Sequence, residues 1–244
     1  MIISNSKNFV FIHLEKCGGT SIEVALEPYL SIEDIILGST KFGEEIQNAY
    51  VRRFGINTVD KNWVWKHSNA DNIKKYLGDE KYNSMYKFAT VRNPIQIVKS
   101  LYFYSKKHVD PILKRIENPH DWLYAEQYPH QWAVGETFML NYAISEIKGG
   151  SLDMFAELFL NSGHQISKPQ ILRTGEDVEL FDIAFINNSW KQILEKINIS
   201  DAPLIPVNAS PRNEITLSLN MEEKIRNHFK LDYESIPQLI RTDW

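Results

Sequence analysis

The fold is decided by residues 9–21, which read Phe-Val-Phe-Ile-His-Leu-Glu-Lys-Cys-Gly-Gly-Thr-Ser. An apolar run typical of a buried strand leads into a lysine, two glycines and two hydroxyl side chains. A helical pattern then begins, with Ile22, Ala25 and Leu26 on one face. The N–H groups of such a turn and of the following helix N-terminus together form an anion site. The segment therefore predicts a phosphate-binding loop in an α/β domain.

The order of residues in this loop differs from that of the common phosphate loop. In the Walker motif the lysine follows the last glycine, whereas Lys16 precedes Gly18 and Gly19. Glycines let the backbone approach an anion closely, the lysine adds a positive charge, and Thr20 and Ser21 add donors. Without the glycines and hydroxyls of the loop, Lys16 would be interpreted as a solvated surface lysine. Cys17 is interpreted as a small loop residue rather than a nucleophile, because no His or Asp partner is evident.

A second strand–loop–helix unit lies further along the chain. Residues 86–91 alternate and are rich in β-formers, and Arg92 follows them directly. Pro94 suits the first turn of a helix, and Ser100 lies eight residues after Arg92. Ligands bind at the carboxyl ends of strands in open α/β sheets, and a guanidinium can bind two phosphate oxygens at once. The pair predicts a second anion site; the alternative is a salt bridge at the helix start and a turn hydroxyl.

These two units together resemble the PAPS-dependent sulfotransferases, whose donor is 3′-phosphoadenosine-5′-phosphosulfate. Residues 13–21 look like the 5′-phosphosulfate loop of that family, and Val91-Arg92-Asn93-Pro94 with Ser100 looks like its 3′-phosphate element. The resemblance extends more weakly over about residues 8–235 and is closest to the carbohydrate-type, family 2-like branch. The expected fold is one P-loop-like, three-layer α/β domain over residues 1–244, with a central, mainly parallel sheet flanked by helices.

The resemblance implies a role for each matched residue. Lys16 would neutralise the bridging oxygen as the leaving nucleotide departs, and the loop Cys17, Gly18, Gly19, Thr20 and Ser21 would hold the 5′-phosphate. The 3′-phosphate would be bound by Arg92 and Ser100. No metal is required, and the nucleotide product is 3′-phosphoadenosine-5′-phosphate (PAP).

Three other positions bear on the match to the family. Residues 208–212 resemble a late loop that closes over the nucleotide, so Arg212 would touch the donor, unless it is a solvated loop arginine. Two residues depart from the family pattern, Ile97 where a second arginine is common and Cys17 where threonine is common. They bear on the subfamily and hence on the acceptor.

An acceptor hydroxyl needs a base, and three side chains were considered. His67 falls where carbohydrate-type members carry a histidine, and a neutral imidazole can accept a proton near neutral pH. The alternative for His67 is a hydrogen-bonded structural histidine. Glu15 is the second candidate base, or else a carboxylate that orders the loop. His13 is predicted to be structural.

Composition narrows the classes of partner. The 244 residues include 27 Lys and Arg against 31 Asp and Glu, for a net charge of −4, which argues against nucleic-acid binding but allows a local basic pocket. The single cysteine excludes an intramolecular disulfide and a cysteine-based zinc site. No apolar run reaches the length of a signal core or membrane span. A cytoplasmic protein is expected, although a tethered enzyme trimmed to its soluble domain would read the same.

The rest of the chain is expected to form further regular elements and one insertion. Residues 105–135 are predicted as an insertion or lid whose aromatic residues, such as Trp122 and Trp132, stack on an acceptor or pack in a core. Further expectations are short strands at 64–65 and 170–173, helices at 71–77, 138–147, 152–160, 189–197 and 221–229, and a loop at 204–213.

Three functions follow from these residues. The first is transfer of a sulfuryl group to an acceptor hydroxyl, on a small molecule or a carbohydrate. The second is a kinase-like phosphotransferase, which would be expected to carry a Walker-type loop and magnesium-binding carboxylates. The third is a non-catalytic module that has kept the nucleotide pocket, against which the presence of both Lys16 and His67 argues.

Overall fold

The computed structural model describes residues 1–54, 64–110, 134–147, 150–207 and 215–240. The chain divides into two compact units, which are described separately. The first comprises Met1–Arg92, Pro169–Ala209 and Leu231–Trp244, and the second comprises Asn93–Lys168 and Ser210–Lys230. The expectation of a single domain over residues 1–244 stays a prediction.

The first unit contains a five-stranded sheet. Its strands are β1 (Ile2–Ser4), β2 (Phe9–Ile12), β3 (Ile35–Ile36), β4 (Tyr86–Val91) and β5 (Glu179–Asp182), in the order β3-β1-β2-β4-β5. Strands β2, β4 and β5 run parallel, whereas β1 is antiparallel to β2 and β3. The α/β class is confirmed, and the expected parallel pairing holds in the centre of the sheet. The P-loop-like assignment stays a prediction.

Helices follow the strands in the alternation typical of α/β proteins. In chain order they are α1 (Gly19–Leu26), α2 (Lys41–Phe54), α3 (Ala70–Leu77), α4 (Asp79–Ser84), α5 (Pro94–His108), α6 (Val134–Ile147), α7 (Leu152–Leu160), α8 (Ile171–Thr174), α9 (Ile186–Lys196), α10 (Leu219–His228) and α11 (Lys230–Ser235). None of the described helices is long and apolar enough to cross a bilayer.

Strand alternation builds the core of the first unit. Every second side chain points to the same face of a strand, which places large aromatic residues of β2, β4 and β5 together and buries them against α1 and α9. The main contributors are Phe9, Phe11, Phe88, Phe181, Ile22, Leu26, Trp190 and Ile193. Each such side chain contributes about 1.5–3 kcal/mol through burial. This packing fixes where β2 and β4 end, and thus where the two predicted anion loops begin.

On the opposite face of the sheet, β4 contacts α4. Lys87 of β4 points to this face, and its ammonium lies 4.9 Å from the centre of the Tyr82 ring. It also pairs with Asp177 at 3.1 Å. Within the first unit, helices therefore flank both faces of the sheet.

The second unit is helical in its described part. Tyr102 of α5 packs edge-on against Tyr142 of α6, with ring centres 5.1 Å apart, and against Phe155 of α7 at 5.4 Å. Phe159 of α7 stacks on Phe229, just after α10, at 6.3 Å. The predicted helix at 152–160 is confirmed with these bounds as α7, and α5 begins at Pro94, as its sequence indicates.

Two predicted strands are wrong. Residues 170–173 form the start of α8 instead, because the Gln170 carbonyl accepts from the N–H groups of Arg173 and Thr174, and the Asp232 carboxylate accepts from the Ile171 N–H. That capping carboxylate is distant in sequence, so no local pattern announces it. Residues 64–65 are not a strand either, because Trp65 closes a turn by bonding Ser68 in both directions.

Several boundaries shift by a few residues. The apolar run that begins at Phe9 is a strand only as far as Ile12, and α9 begins at Ile186 rather than at residue 189. The helix expected last, at 221–229, is α10, but α11 follows it. The strand at 86–91 is confirmed with its predicted bounds. Arg212 and most of the expected lid at 105–135 lie outside the described residues.

Candidate functional site

The loop from β2 to α1 has a distinct backbone conformation. Lys16 adopts a left-handed backbone (φ 62°), which is unfavourable by about 1–2 kcal/mol for a non-glycine residue. Gly18 is also left-handed (φ 77°) and forms the N-cap of α1. The loop is closed by the Ser21 N–H, which donates to the Gly18 carbonyl at 3.0 Å. The first N–H groups of α1 thus face the loop, in the arrangement that binds anions at helix N-termini.

Gly19 is required by its contact with a buried histidine. A Cβ added at this position would lie 2.2 Å from Cδ2 of His13. The ring of His13 cannot easily move, because its Nδ1 is 2.6 Å from Oε1 of Glu23 and both side chains are buried. Burial lowers the pKa of His13 in spite of the neighbouring Glu23 carboxylate, so a neutral ring donates to the carboxylate. His13 is therefore structural, as the sequence suggests.

This contact makes a prediction for stability. Gly19→Ala is expected to lower the free energy of unfolding by about 1–3 kcal/mol, because the methyl group overpacks a site whose neighbours are fixed. Denaturant unfolding measures the change. Gly163→Ala measures the cost of a left-handed backbone alone, because a Cβ there meets no atom within 4 Å; Gly19 has no positive φ, so a loss in Gly19→Ala comes from packing. A Gly19→Ala protein as stable as the wild type would contradict the described packing of His13.

The two predicted anion loops meet at Lys16 and Arg92. Arg92 follows β4, and its Nη1 donates to the carbonyl of Lys16 at 3.1 Å. Burial is the main cause that lowers the pKa of Lys16 to about 8, and the charge of Arg92 acts in the same direction. Burial also lowers the pKa of Arg92. A bound anion would stabilise both cations, since an opposite charge nearby favours the charged form.

Lys66 brings a further positive charge to this region. Its side chain lies against Gly38, where an added Cβ would be 2.2 Å from Cδ of Lys66. Its charge acts to lower the pKa of both Lys16 and His67. A protein with a net charge of −4 thus concentrates cations at one loop.

His67 is held in a defined tautomer. Its Nδ1 lies 2.9 Å from the carbonyl oxygen of His13, an acceptor only, so Nδ1 carries the proton and Nε2 the lone pair. The two imidazole rings meet edge-on at 4.7 Å. Burial is the main cause that lowers the pKa of His67 to about 3, and His13 acts in the same direction. The ring is therefore neutral at physiological pH.

Glu15 is paired rather than available. Its carboxylate forms a buried ion pair with Arg173. Burial alone would raise the pKa of Glu15, but the charges of Arg173 and His67 outweigh it and lower the pKa. The carboxylate is therefore ionised and tied to α8. This geometry favours its loop-ordering role over its role as a base.

The other loop side chains are also engaged within the first unit. Thr20 Oγ1 lies 3.0 Å from Ser39 Oγ, and the Ser21 hydroxyl accepts from the N–H of Val207 at 2.9 Å. Burial raises the pKa of Cys17 to about 12, so its thiol is neutral. A neutral, buried thiol fits the prediction of a small loop residue.

Two predicted site residues, Ser100 and Arg212, are not among the contacts of this loop described above. Ser100 is a buried residue of α5 in the second unit, whereas Lys16, His67 and Arg92 belong to the first unit. Arg212 lies outside the described residues. The assignment of both to the nucleotide stays a prediction.

Sequence reasoning gave no role to several residues that surround the loop. Ile183, directly after β5, would clash with a Cβ on Gly18 at 2.5 Å. Asp182, at the end of β5, acts electrostatically on Arg92, and Arg173 pairs with Glu15. The sequence could have indicated these residues only by their position directly after a strand or beside a motif.

Within the described ranges, no group of three or more His, Cys, Asp and Glu side chains could hold a metal ion.

Comparison with family models, with curated proteins and with solved structures finds no match to this chain. The functional argument therefore depends on the motifs and on the geometry that surrounds them.

Proposed function

We propose that the protein is a sulfotransferase that moves a sulfuryl group from 3′-phosphoadenosine-5′-phosphosulfate to an acceptor hydroxyl. The observation that carries the proposal is the contact between Arg92 and the Lys16 loop at 3.1 Å. It joins two cationic loops at the carboxyl ends of adjacent parallel strands, β2 and β4. A donor phosphorylated at both its 3′ and 5′ positions needs two such anion sites side by side.

The donor would be bound by charge and by backbone donors. The N–H groups from Gly18 to Thr20 would hold the 5′-phosphate at the N-terminus of α1, since the Ser21 N–H already donates to the Gly18 carbonyl. Arg92 would bind the 3′-phosphate, for which a guanidinium offers two donors. Lys16 would contact the oxygen that bridges phosphorus and sulfur. Both glycines are required by the packing of the loop, because a Cβ at either position would meet Ile183 or His13.

The reaction would be an in-line displacement at sulfur. The acceptor oxygen attacks the sulfur and forms the new S–O bond, while the bond from sulfur to the bridging oxygen breaks and PAP leaves. The acceptor proton passes to Nε2 of His67, whose tautomer is set by the bond to the His13 carbonyl and whose pKa, about 3 without ligand, would rise beside the anionic donor. Lys16 stabilises the negative charge that develops on the leaving oxygen. Such transfers depend on positioning and electrostatic stabilisation.

The pKa of Lys16 predicts how donor binding depends on pH. With a pKa of about 8, Lys16 is protonated below pH 8 and binds the anion without gaining a proton. Above pH 8 binding must take up a proton, so the association constant for PAP should fall by up to about tenfold per pH unit. Calorimetry in two buffers of different ionisation enthalpy, from pH 6.5 to pH 9.5, measures both the affinity and the proton uptake.

The matched variant for this titration is Lys16→Arg. Arginine stays charged over the whole range, so the variant should lose both the proton uptake and the decline above pH 8. Affinity of the wild type that stays level up to pH 9.5 would contradict the described environment of Lys16.

The activity itself is tested with donor carrying labelled sulfate. The protein is incubated with a panel of hydroxyl acceptors, carbohydrates first, and the labelled products are separated. Label on an acceptor hydroxyl, absent when the protein is omitted, would support the proposal. Transfer of phosphate from ATP with magnesium, without any transfer of sulfate, would favour the kinase-like alternative, and tight PAP binding without transfer would favour the non-catalytic module.

A further inference from the structure

The side chain of Gln170 connects the two cationic loops. It is 2% exposed and lies just before α8. Its Oε1 accepts from the Arg92 N–H at 2.9 Å and from the Cys17 thiol at 3.4 Å. Its Nε2 donates to the Arg92 carbonyl at 2.8 Å and to Oδ2 of Asp232 at 3.1 Å. One buried amide thus contacts the loop after β2 and the residue after β4.

The Gln170 amide bonds the backbone of Arg92 where a neighbouring strand would otherwise do so. The ladder between β4 and β5 ends at the pair Val91 and Asp182, one residue before Arg92. The N–H and the carbonyl of Arg92 are then both satisfied by Gln170, in the two-bond pattern that a residue on an antiparallel strand would provide. Both the N–H and the carbonyl of Arg92 are therefore held in place, so the backbone position from which its guanidinium extends is fixed.

Asp232 fixes which way the amide faces. It is fully buried, and its Oδ1 accepts from the Ile171 N–H at 3.0 Å. Its other oxygen takes the second N–H of the amide. A carboxylate can only accept when ionised, so the NH₂ group of Gln170 must face Asp232 and the Arg92 carbonyl, and its oxygen must face the Arg92 N–H and Cys17.

We propose that Gln170 is a positioning residue that sets the spacing between the two anion-binding loops, so that the protein distinguishes a nucleotide with two phosphate groups from one with a single phosphate. This inference rests on the proposed function, because it takes PAP as the nucleotide. It goes beyond the resemblance, which assigns no role to residue 170. Gln170 touches neither phosphate in this scheme and acts through Arg92.

The test compares two nucleotides. The dissociation constants of PAP and of 5′-AMP, which lacks the 3′-phosphate, are measured for the wild type and for Gln170→Met, whose side chain has a similar volume and no amide. The preference for PAP, which is the dissociation constant of 5′-AMP divided by that of PAP, should fall by about tenfold or more in the variant. This is the size expected from losing a hydrogen bond to a charged group. A merely structural role would change the folded fraction and weaken both nucleotides alike. Gln192→Met, at an exposed glutamine, should leave the ratio unchanged.

A second variant covers the case in which Gln170→Met does not fold. Asp232→Asn still allows both hydrogen bonds between Gln170 and Arg92, but it removes one of the acceptors that orient the amide. It should therefore lower the preference for PAP over 5′-AMP by a smaller factor. An unchanged ratio in a folded variant of either residue would overturn the positioning role. A wild type that binds PAP and 5′-AMP equally well would overturn the proposed function, and this inference with it.

Discussion

Lys16→Ala is expected to reduce sulfuryl transfer by about 10²–10³-fold at saturating donor, the size found when one preorganised charge-stabilising donor is removed. The physical reason is the charge on the bridging oxygen, which grows as the bond to the leaving nucleotide breaks. Because this interaction strengthens towards the transition state, the loss should appear mainly in kcat and less in the dissociation constant of PAP. Initial rates with labelled donor, and calorimetry with PAP, measure the two quantities.

Two variants control for this loss. Lys16→Arg keeps the charge but not the compact ammonium geometry, so it should retain more activity than Lys16→Ala. Lys191→Ala removes a lysine whose side chain is 90% exposed and should behave as the wild type. If Lys16→Ala turned over at the wild-type rate, Lys16 would be a solvated loop lysine and the leaving-group role would be wrong.

His67→Asn is expected to reduce kcat by about 10²–10⁴-fold, the range for loss of a general base. Asparagine is chosen because its amide can still donate to the His13 carbonyl, which His67 contacts at 2.9 Å, while it offers no basic nitrogen. The variant therefore separates the structural bond from the proton transfer. Donor affinity should stay near the wild-type value.

The controls for His67 are a second histidine and added imidazole. His108→Ala removes an imidazole on α5 that bonds only its own helix in the described contacts, at the carbonyl of Tyr104, and should have little effect. Imidazole added to His67→Ala should restore part of the rate if the missing group is a base. Full activity of His67→Asn would show that His67 is structural and that the proton leaves by another route.

The sequence predicted the parts of the fold that depend on local pattern. Strand β4 alternates and is bounded by Arg92 and Pro94, so its bounds could be predicted at residues 86–91 and are found there. The run before Lys16 likewise reads as a strand, and β2 occupies Phe9–Ile12. Because parallel strands end at one edge of a sheet, the meeting of the Lys16 loop with Arg92 could also be expected from sequence.

Contacts between distant residues could not be predicted in this way. Residues 170–173 look like a strand, yet α8 forms because Asp232, about sixty residues later, caps it. The sequence left Glu15 open between a base and a loop carboxylate, and only its ion pair with Arg173 distinguishes them. The tautomer of His67 depends on a carbonyl 54 residues away, and Gln170 reaches Arg92 across 78 residues.

Binding of a nucleotide phosphorylated at both ends by two cationic loops is the core of the proposed function. The direct measurement is titration calorimetry of the full chain with PAP in a magnesium-free buffer containing a chelator, with ATP and magnesium as the competing ligand. The account predicts binding of PAP with a dissociation constant of about 1 µM or tighter, near −8 kcal/mol, and much weaker binding of ATP. No binding of PAP, or a preference for ATP that requires magnesium, would contradict it.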